Sequence, residues 1–275
     1  MSRSHLAPPT CPDTVALAAA VREQVLQMAC GPEGAHVGGA LSSADILACL
    51  YGGILRVDPR APAAPDRDRF VLSKGHAAVG LYAVLALRGF FPVAELAGFG
   101  RDGSRLTGHP PWELPGVDFA TGSLGHGLAV GLGFALAAQR AGTDQRTVVL
   151  LGDGEQQEGS VWEAAAAAGR MASPGLLAIT DCNGLQINGT VPDGDADRIA
   201  ARWAACGWRT EIVDGHDHAA LREALRGPDA GPRAVVARTV KGKGVRFMQG
   251  QARSHHVRLT EALHSRALRQ LTAGR

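Results

Sequence analysis

The chain has 275 residues, of which 45% are hydrophobic and 20% charged, as is ordinary for a globular protein with one large α/β domain or two small ones. The formal net charge of +2 does not favour nucleic acid as a partner, and the sequence contains no apolar stretch of about 18 residues that would predict a membrane span. The five cysteines are scattered and form no C-x-x-C pair, which favours neither a zinc site nor a disulfide framework and predicts a reducing, cytoplasmic location.

The first half of the chain is predicted to combine helices with long loops. Residues 1–12 are polar and contain three prolines, so we expect a flexible arm rather than a signal peptide. Asp13 is expected to cap a first helix, and Ser42 or Ser43 a second helix that ends near Tyr51. The remaining elements are a surface loop at 56–68, a short strand at 70–73, a helix through 81–87, a long loop at 101–120 and a helix from about 127 to 141.

The second half of the chain predicts a parallel sheet. Continuous apolar runs at 147–151 and 176–180 lack polar alternation, which is typical of strands buried on both faces. Further elements are strands at 209–213 and 234–240, and helices at about 160–171, at 195–206, from His218 and after Thr260. Strands that alternate with helices predict an α/β fold, a doubly wound, mostly parallel sheet flanked by helices. We expect residues 13–275 to form a single domain.

Polar residues follow the two most apolar predicted strands. Gly152-Asp153-Gly154 comes directly after one strand, and Asp181-Cys182-Asn183 comes after the other. Ligands bind beyond the carboxyl ends of an open parallel sheet, so Asp153 and Asn183 would converge there if the strands are neighbours. A carboxylate and an amide oxygen suit Mg²⁺ and leave positions for diphosphate oxygens and water, and Gly152 and Gly154 would let a phosphate approach the backbone. Gly-Asp-Gly alone is more often a simple turn, but the pair of motifs is more specific.

Six stretches of the chain, in the same order as in the family, resemble the thiamine-diphosphate-binding half of transketolases. The resemblance covers roughly residues 15–257 and is greatest to the amino-terminal subunit of split transketolases, in which the two halves are separate polypeptides. The stretches are Gly34–Gly39, Phe70–His76, Gly108–Pro110, Gly116–Gly127, Gly152–Gly159 and Asp181–Gly189.

The resemblance implies the thiamine diphosphate-binding fold, in its diphosphate-binding domain, and thiamine diphosphate held through Mg²⁺, or through Ca²⁺ or Mn²⁺. It implies three protein ligands to the ion, namely the side chains of Asp153 and Asn183 and the backbone carbonyl of Leu185. The residues that it implies around the cofactor are His76, Gly122, Leu124, Gly152, Asp153, Gly154, Asn183, Ile187 and His255. The residues that it implies in catalysis are His36, His76, His109, His255 and Glu158, of which the last joins a proton network between two active sites.

Other motifs are interpreted more plainly. The family usually has Trp-His-Gly where this chain has Ser254-His255-His256, so His255 departs from the family in both of its neighbours. Lys241-Gly-Lys-Gly244 lacks the spacing of a phosphate-binding loop and is interpreted as a basic surface loop. The glycines at 125–133 do not fit the dinucleotide fingerprint. Asp214–Asp217 is predicted to cap a helix, and the cations between Arg253 and Arg258 to form a solvated face.

The resemblance implies transfer of a two-carbon ketol unit from a ketose, commonly a phosphate, to an aldose acceptor. Histidines in glycine-rich loops suit proton transfer between hydroxyl and carbonyl oxygens and favour a hydroxylated donor. Two alternatives stay open: a component of a 2-oxoacid decarboxylase or dehydrogenase, and a non-catalytic binding subunit.

The glutamate that activates the cofactor lies, in the family, in a pyrimidine-binding domain that we expect to be absent from this chain. The resemblance therefore implies a carboxyl-terminal partner subunit of about 300 residues. We expect a heterotetramer with two copies of each subunit, and no transfer activity from the isolated chain.

Overall fold

The computed structural model describes residues 13–226 and 230–273, so the arm expected at 1–12 lies outside the described residues. Five parallel strands form one sheet in the order β1-β2-β3-β7-β6, and β4 and β5 form a separate antiparallel hairpin. The strands are β1 (Arg69–Leu72), β2 (Thr147–Gly152), β3 (Leu176–Cys182), β4 (Leu185–Gln186), β5 (Gly189–Thr190), β6 (Arg209–Asp214) and β7 (Arg233–Arg238).

Helices cover both faces of the sheet. They are α1 (Thr14–Met28), α2 (Val37–Ser42), α3 (Ala44–Cys49), α4 (Ala78–Leu87), α5 (Gly127–Arg140), α6 (Gly159–Arg170), α7 (Ala196–Ala205), α8 (His218–Arg226) and α9 (Glu261–Ala273). Among the described residues, no helix combines the length and the apolar character needed to cross a membrane.

Each strand contributes side chains to two separate cores. Val148 and Leu150 of β2 pack with α1 to α4, α8 and α9, whereas Val149 and Leu151 pack with α5, α6 and α7. All seven residues of β3 are buried, because the central strand is covered on both faces. The predicted doubly wound, mostly parallel α/β fold is confirmed.

The second helix differs from the prediction. α2 begins at Val37, inside the glycine-rich stretch, and neither Ser42 nor Ser43 caps a helix through its side chain. The Ser42 hydroxyl instead donates to Asp181 at 2.6 Å. A Cβ added to Gly38 would lie 2.8 Å from the Ser254 carbonyl oxygen, so these glycines allow a close approach between α2 and the 254 segment rather than forming a loop.

The other predicted caps are present. The Asp13 carboxylate accepts hydrogen bonds from the first amides of α1, and Asp217 does the same for α8. The Thr260 hydroxyl accepts from the Leu263 amide at the start of α9. Each cap supplies an acceptor for amides that have no partner within their helix.

Candidate active site

A cavity of about 380 Å³ opens at the carboxyl ends of β2 and β3. The two strands are neighbours, and Gly152 pairs in register with Asp181, so the two polar motifs lie side by side. Apart from His36 and His109, every site residue expected from the sequence lines this cavity: His76, Gly122, Leu124, Gly152, Asp153, Gly154, Glu158, Asn183, Leu185, Ile187 and His255.

Asp153 is a buried carboxylate that faces the cavity. Its oxygens accept hydrogen bonds from the Gly154 amide at 2.7 Å and the Gly184 amide at 2.6 Å, and the residue is 4% exposed. Burial and the nearby Asp181 raise the pKa of Asp153 to about 6. A buried carboxylate is stabilised by a cation, so this side chain has the chemistry of a metal ligand.

The oxygen atoms beside Asp153 complete a donor set that fits a hard cation. Asn183 Oδ1 accepts from the Leu185 amide at 3.1 Å, and the Leu185 carbonyl already accepts from the Lys241 ammonium at 2.9 Å. In the part of the chain that the structure describes, no three His, Cys, Asp or Glu side chains form a metal-binding group. An ion here would therefore use carboxylate, amide, carbonyl and phosphate oxygens, which Mg²⁺ prefers.

Lys74 and Asp181 form a buried ion pair at the floor of the cavity. Lys74 Nζ lies 2.5 Å from Asp181 Oδ2 and 2.8 Å from the Gly39 carbonyl, and the two side chains are 2% and 0% exposed. Burial opposes ionisation of Asp181, but Lys74 and the hydroxyls of Ser42 and Thr239 outweigh it and lower the pKa. This pair was not predicted from the sequence, since lysine is rarely buried and the two residues are far apart in the chain.

Lys241 also lines the cavity, so the prediction of a basic surface loop is wrong for this residue. It is 2% exposed, and its Nζ lies 3.1 Å from His255 Nδ1. The Gly242 amide donates to the Gly38 carbonyl at 3.0 Å and folds the loop back against α2. Burial and the charge of Lys74 lower the pKa of Lys241 to about 8.

Three of the predicted histidines form a contacting group. The rings of His76 and His255 stack with their centroids 5.1 Å apart, and His36 meets them edge-on at 5.4 and 5.3 Å. Burial and neighbouring cationic groups lower the pKa of His36 and of His255 to about 4, and that of His76 to about 2. All three rings are therefore neutral near pH 7, each with one nitrogen that donates and one that accepts.

His109 approaches the same region from the long loop at 101–120. It is exposed, and a Cβ added to Gly122 would lie 3.5 Å from His109 Cδ2. The Tyr82 and Thr107 hydroxyls each donate to the His109 carbonyl at 2.8 Å, which fixes the backbone there. Its ring thus lies against the Gly122 loop rather than in the contacting group.

Two glutamates near the cavity have different environments. Glu158 is exposed, whereas Glu155 is 3% exposed and accepts from Ser73 Oγ, the Gly125 amide and the Gly152 amide. Glu155 thereby joins the end of β2 to the loop before α5. Glu155 was not selected from the sequence, because both glutamates follow the same strand and only the packing distinguishes them.

Similar proteins share both the sequence and the fold. The family described as transketolase, thiamine diphosphate binding domain, matches residues 15–272. One of the two subunits of the apulose-4-phosphate transketolase of Phocaeicola vulgatus is 39% identical over 255 residues, covering 91% of this chain and 91% of that protein. The 6-deoxy-6-sulfo-D-fructose transketolase subunit of a Clostridium species is 39% identical over 242 residues, covering 86% of this chain and 88% of that protein.

Solved transketolases have the same architecture. That of Campylobacter jejuni superposes with a TM-score of 0.85 at 31% identity, over 94% of this chain and 42% of that one. That of Pichia stipitis, in complex with sedoheptulose-7-phosphate, gives a TM-score of 0.86 at 31% identity, over 95% and 40% of the two chains. This chain thus spans about two fifths of the length of these solved structures.

Proposed function

We propose, because this chain belongs to the transketolase family and matches its thiamine diphosphate binding domain, that it is the diphosphate-binding subunit of a split transketolase. The reaction is transfer of a two-carbon ketol unit from a ketose, a sugar phosphate, to an aldose acceptor. The observation that carries this proposal is the cavity in which Asp153 and Asn183 lie within reach of a cluster of neutral histidines.

In this proposal, a divalent cation is held by Asp153, Asn183 and the Leu185 carbonyl. Mg²⁺ is the first choice and Ca²⁺ or Mn²⁺ are substitutes, since all three accept oxygen ligands. Lys74 and Lys241 lie on the same wall and add positive charge for a diphosphate. Thiamine diphosphate, when bound, supplies the electron sink for carbon–carbon bond cleavage.

The ring of the cofactor is assigned to the outer part of the cavity. Gly122 and Leu124 lie beside the position of the aminopyrimidine and Ile187 beside that of the thiazolium. Ile187 is 66% exposed, which is unusual for so apolar a side chain and supports a ligand or partner that covers it.

The histidines are proposed to hold the sugar and move its protons. A neutral imidazole can donate to a carbonyl oxygen and accept from a hydroxyl, so His36, His76 and His255 can orient a polyhydroxylated donor. His109 is proposed to do so from the opposite loop. Glu158, exposed at the rim, is proposed to join a proton network with a second active site.

The partner in this proposal is a carboxyl-terminal subunit that carries the pyrimidine-binding domain, in a heterotetramer with two copies of each chain. It rests on the relatives named as transketolase subunits, which this chain matches almost end to end, and on the closed symmetry that is usual for oligomers. A cytoplasmic location rests on the free thiols of Cys30, Cys49, Cys182 and Cys206, as in a reducing compartment.

The test is reconstitution of transfer. The chain and a carboxyl-terminal transketolase subunit from the same organism are assayed separately and together, with thiamine diphosphate, Mg²⁺, a ketose phosphate and an aldose. We expect transfer only from the mixture and its loss with Asp153→Ala, while the exposed Asp66→Ala serves as a matched control that keeps activity. Transfer by the chain alone, or carbon dioxide release from a 2-oxoacid without ketol transfer, would contradict the proposal.

A further inference from the structure

A second polar network lies behind the cavity, between α1, α3 and the turn that joins β6 to α8. At its centre is Asp45, which is 4% exposed. Its carboxylate accepts from Arg22 at 3.0 and 2.5 Å, from His216 Nδ1 at 2.6 Å and from His218 Nε2 at 3.1 Å. None of these four side chains lines the cavity.

His216 links this network to the strand exit that carries Lys241. Its Nε2 lies 2.9 Å from the backbone nitrogen of Val240, the residue directly before Lys241. Because a backbone N–H can only donate, Nε2 is the acceptor, and the proton of the neutral ring is on Nδ1, where Asp45 accepts it. A carboxylate that fixes the tautomer of a histidine in this way also fixes the orientation of its ring.

The Val240 contact lies at the point where sheet pairing ends. The Thr239 amide donates to the Cys182 carbonyl at 3.0 Å, which is the last bond between this segment and β3. Beyond it, the Val240 amide donates to His216 and the Gly242 amide donates to Gly38. Lys241 lies between these two contacts, so both determine where its side chain enters the cavity.

We propose that His216 is a positioning residue that acts through the Val240 amide to fix Lys241 beside the Leu185 carbonyl and His255. The effect on cofactor affinity rests on the proposed function, but the backbone contact does not. His218 binds the same carboxylate and reaches Thr14 rather than the 240 segment, at 2.9 Å. The two histidines therefore separate a contribution to stability from a contribution to the site.

Paired amide variants of the full chain test this separation. In His216→Gln the amide lies near the former Nε2 and can accept from Val240, whereas in His216→Asn it lies near the former Nδ1 and can reach only Asp45. His218→Gln is the matched control, because it disturbs the Asp45 network without touching Val240. The readouts are the Kd for thiamine diphosphate at saturating Mg²⁺ and the midpoint of thermal unfolding.

We expect His216→Asn to bind thiamine diphosphate about tenfold more weakly, the equivalent of one lost hydrogen bond, and His216→Gln to stay within about twofold of wild type. His218→Gln is expected to lower the unfolding midpoint with an unchanged Kd. Equal affinities for His216→Asn and His216→Gln, or an equal loss of affinity in His218→Gln, would overturn the proposal.

The contact itself is measured without any cofactor. In the ¹⁵N-labelled full chain, a scalar coupling across the hydrogen bond is expected between the Val240 amide nitrogen and His216 Nε2. In His216→Asn the ring signals of His255 are expected to shift, since Lys241 contacts that ring. A wild-type chain without the coupling overturns the positioning role, whereas a chain with the coupling that binds no thiamine diphosphate overturns the proposed function.

Discussion

The buried carboxylate of Asp45 binds two histidines whose surroundings give them different protonation states. His216 accepts a hydrogen bond from a backbone amide and is therefore neutral. His218 gains a hydrogen bond from Asp45 and a contact with Cys49, and these raise its pKa to about 9. One carboxylate thus holds a neutral ring and a cationic ring within a few ångströms.

His218 is expected to make stability depend on pH. Because its folded pKa is raised above the unfolded value of 6.5, its contribution is fully present below about pH 6.5 and is lost as the pH rises through about 9. Urea denaturation of wild type and His218→Gln should give free energies of unfolding whose difference shrinks across this window. The exposed His126→Gln is the control, and a difference that stays constant with pH would contradict the assignment.

At this scale the sequence predicts some site residues better than others. Asp153 and Asn183 follow strongly apolar strands, and parallel strands bring their carboxyl ends to one edge, so their proximity could be foreseen. Lys74, Lys241 and Glu155 could not be selected, because their burial depends on loops from distant parts of the chain that fold over them. Composition and spacing carry no signal for that burial.

At the scale of elements, the position of the loop before α5 depends on how closely that helix packs on the sheet. A Cβ added to Gly131 would lie 2.4 Å from Val149 Cγ2 of β2, whereas a Cβ added to Gly133 of the same helix meets no atom within 4 Å. The close approach keeps the start of α5 near the end of β2, where Glu155 binds the Gly125 amide at 2.9 Å.

These two glycines form a matched pair for mutation. Gly131→Ala is expected to destabilise the isolated chain by about 1–3 kcal/mol through overpacking against β2. Gly133→Ala is expected to stabilise it by about 0.5–1 kcal/mol, since alanine is the better helix former where space is open. Chemical denaturation of both variants measures the two effects, and destabilisation of equal size would show that helix propensity and packing are not separated here.

The elements themselves were largely predictable. Continuous apolar runs indicated the buried strands, and Asp13, Asp217 and Thr260 marked helix starts correctly. α2 was missed because glycines usually interrupt helices, while here they allow tight contact with the 254 segment. That contact is long-range and cannot be derived from local propensity.

At the scale of the whole molecule, the site lies on one edge of the sheet and faces outward. The metal and diphosphate groups of the proposal are buried at the floor of the cavity, whereas Ile187 at its rim is 66% exposed. The solved transketolases extend well beyond the region that this chain matches. This distribution supports a chain that anchors the diphosphate end of the cofactor while a partner completes the ring end.

The most direct test of this account is calorimetric titration of the full chain with thiamine diphosphate, in Mg²⁺ and in a chelator. We predict saturable binding that requires Mg²⁺ and is at least about tenfold weaker in Asp153→Ala, as for the loss of an interaction with a charged group. The exposed Asp66→Ala is predicted to bind like wild type. Binding that is indifferent to Mg²⁺, or equal in Asp153→Ala and wild type, would contradict the assignment of the diphosphate site.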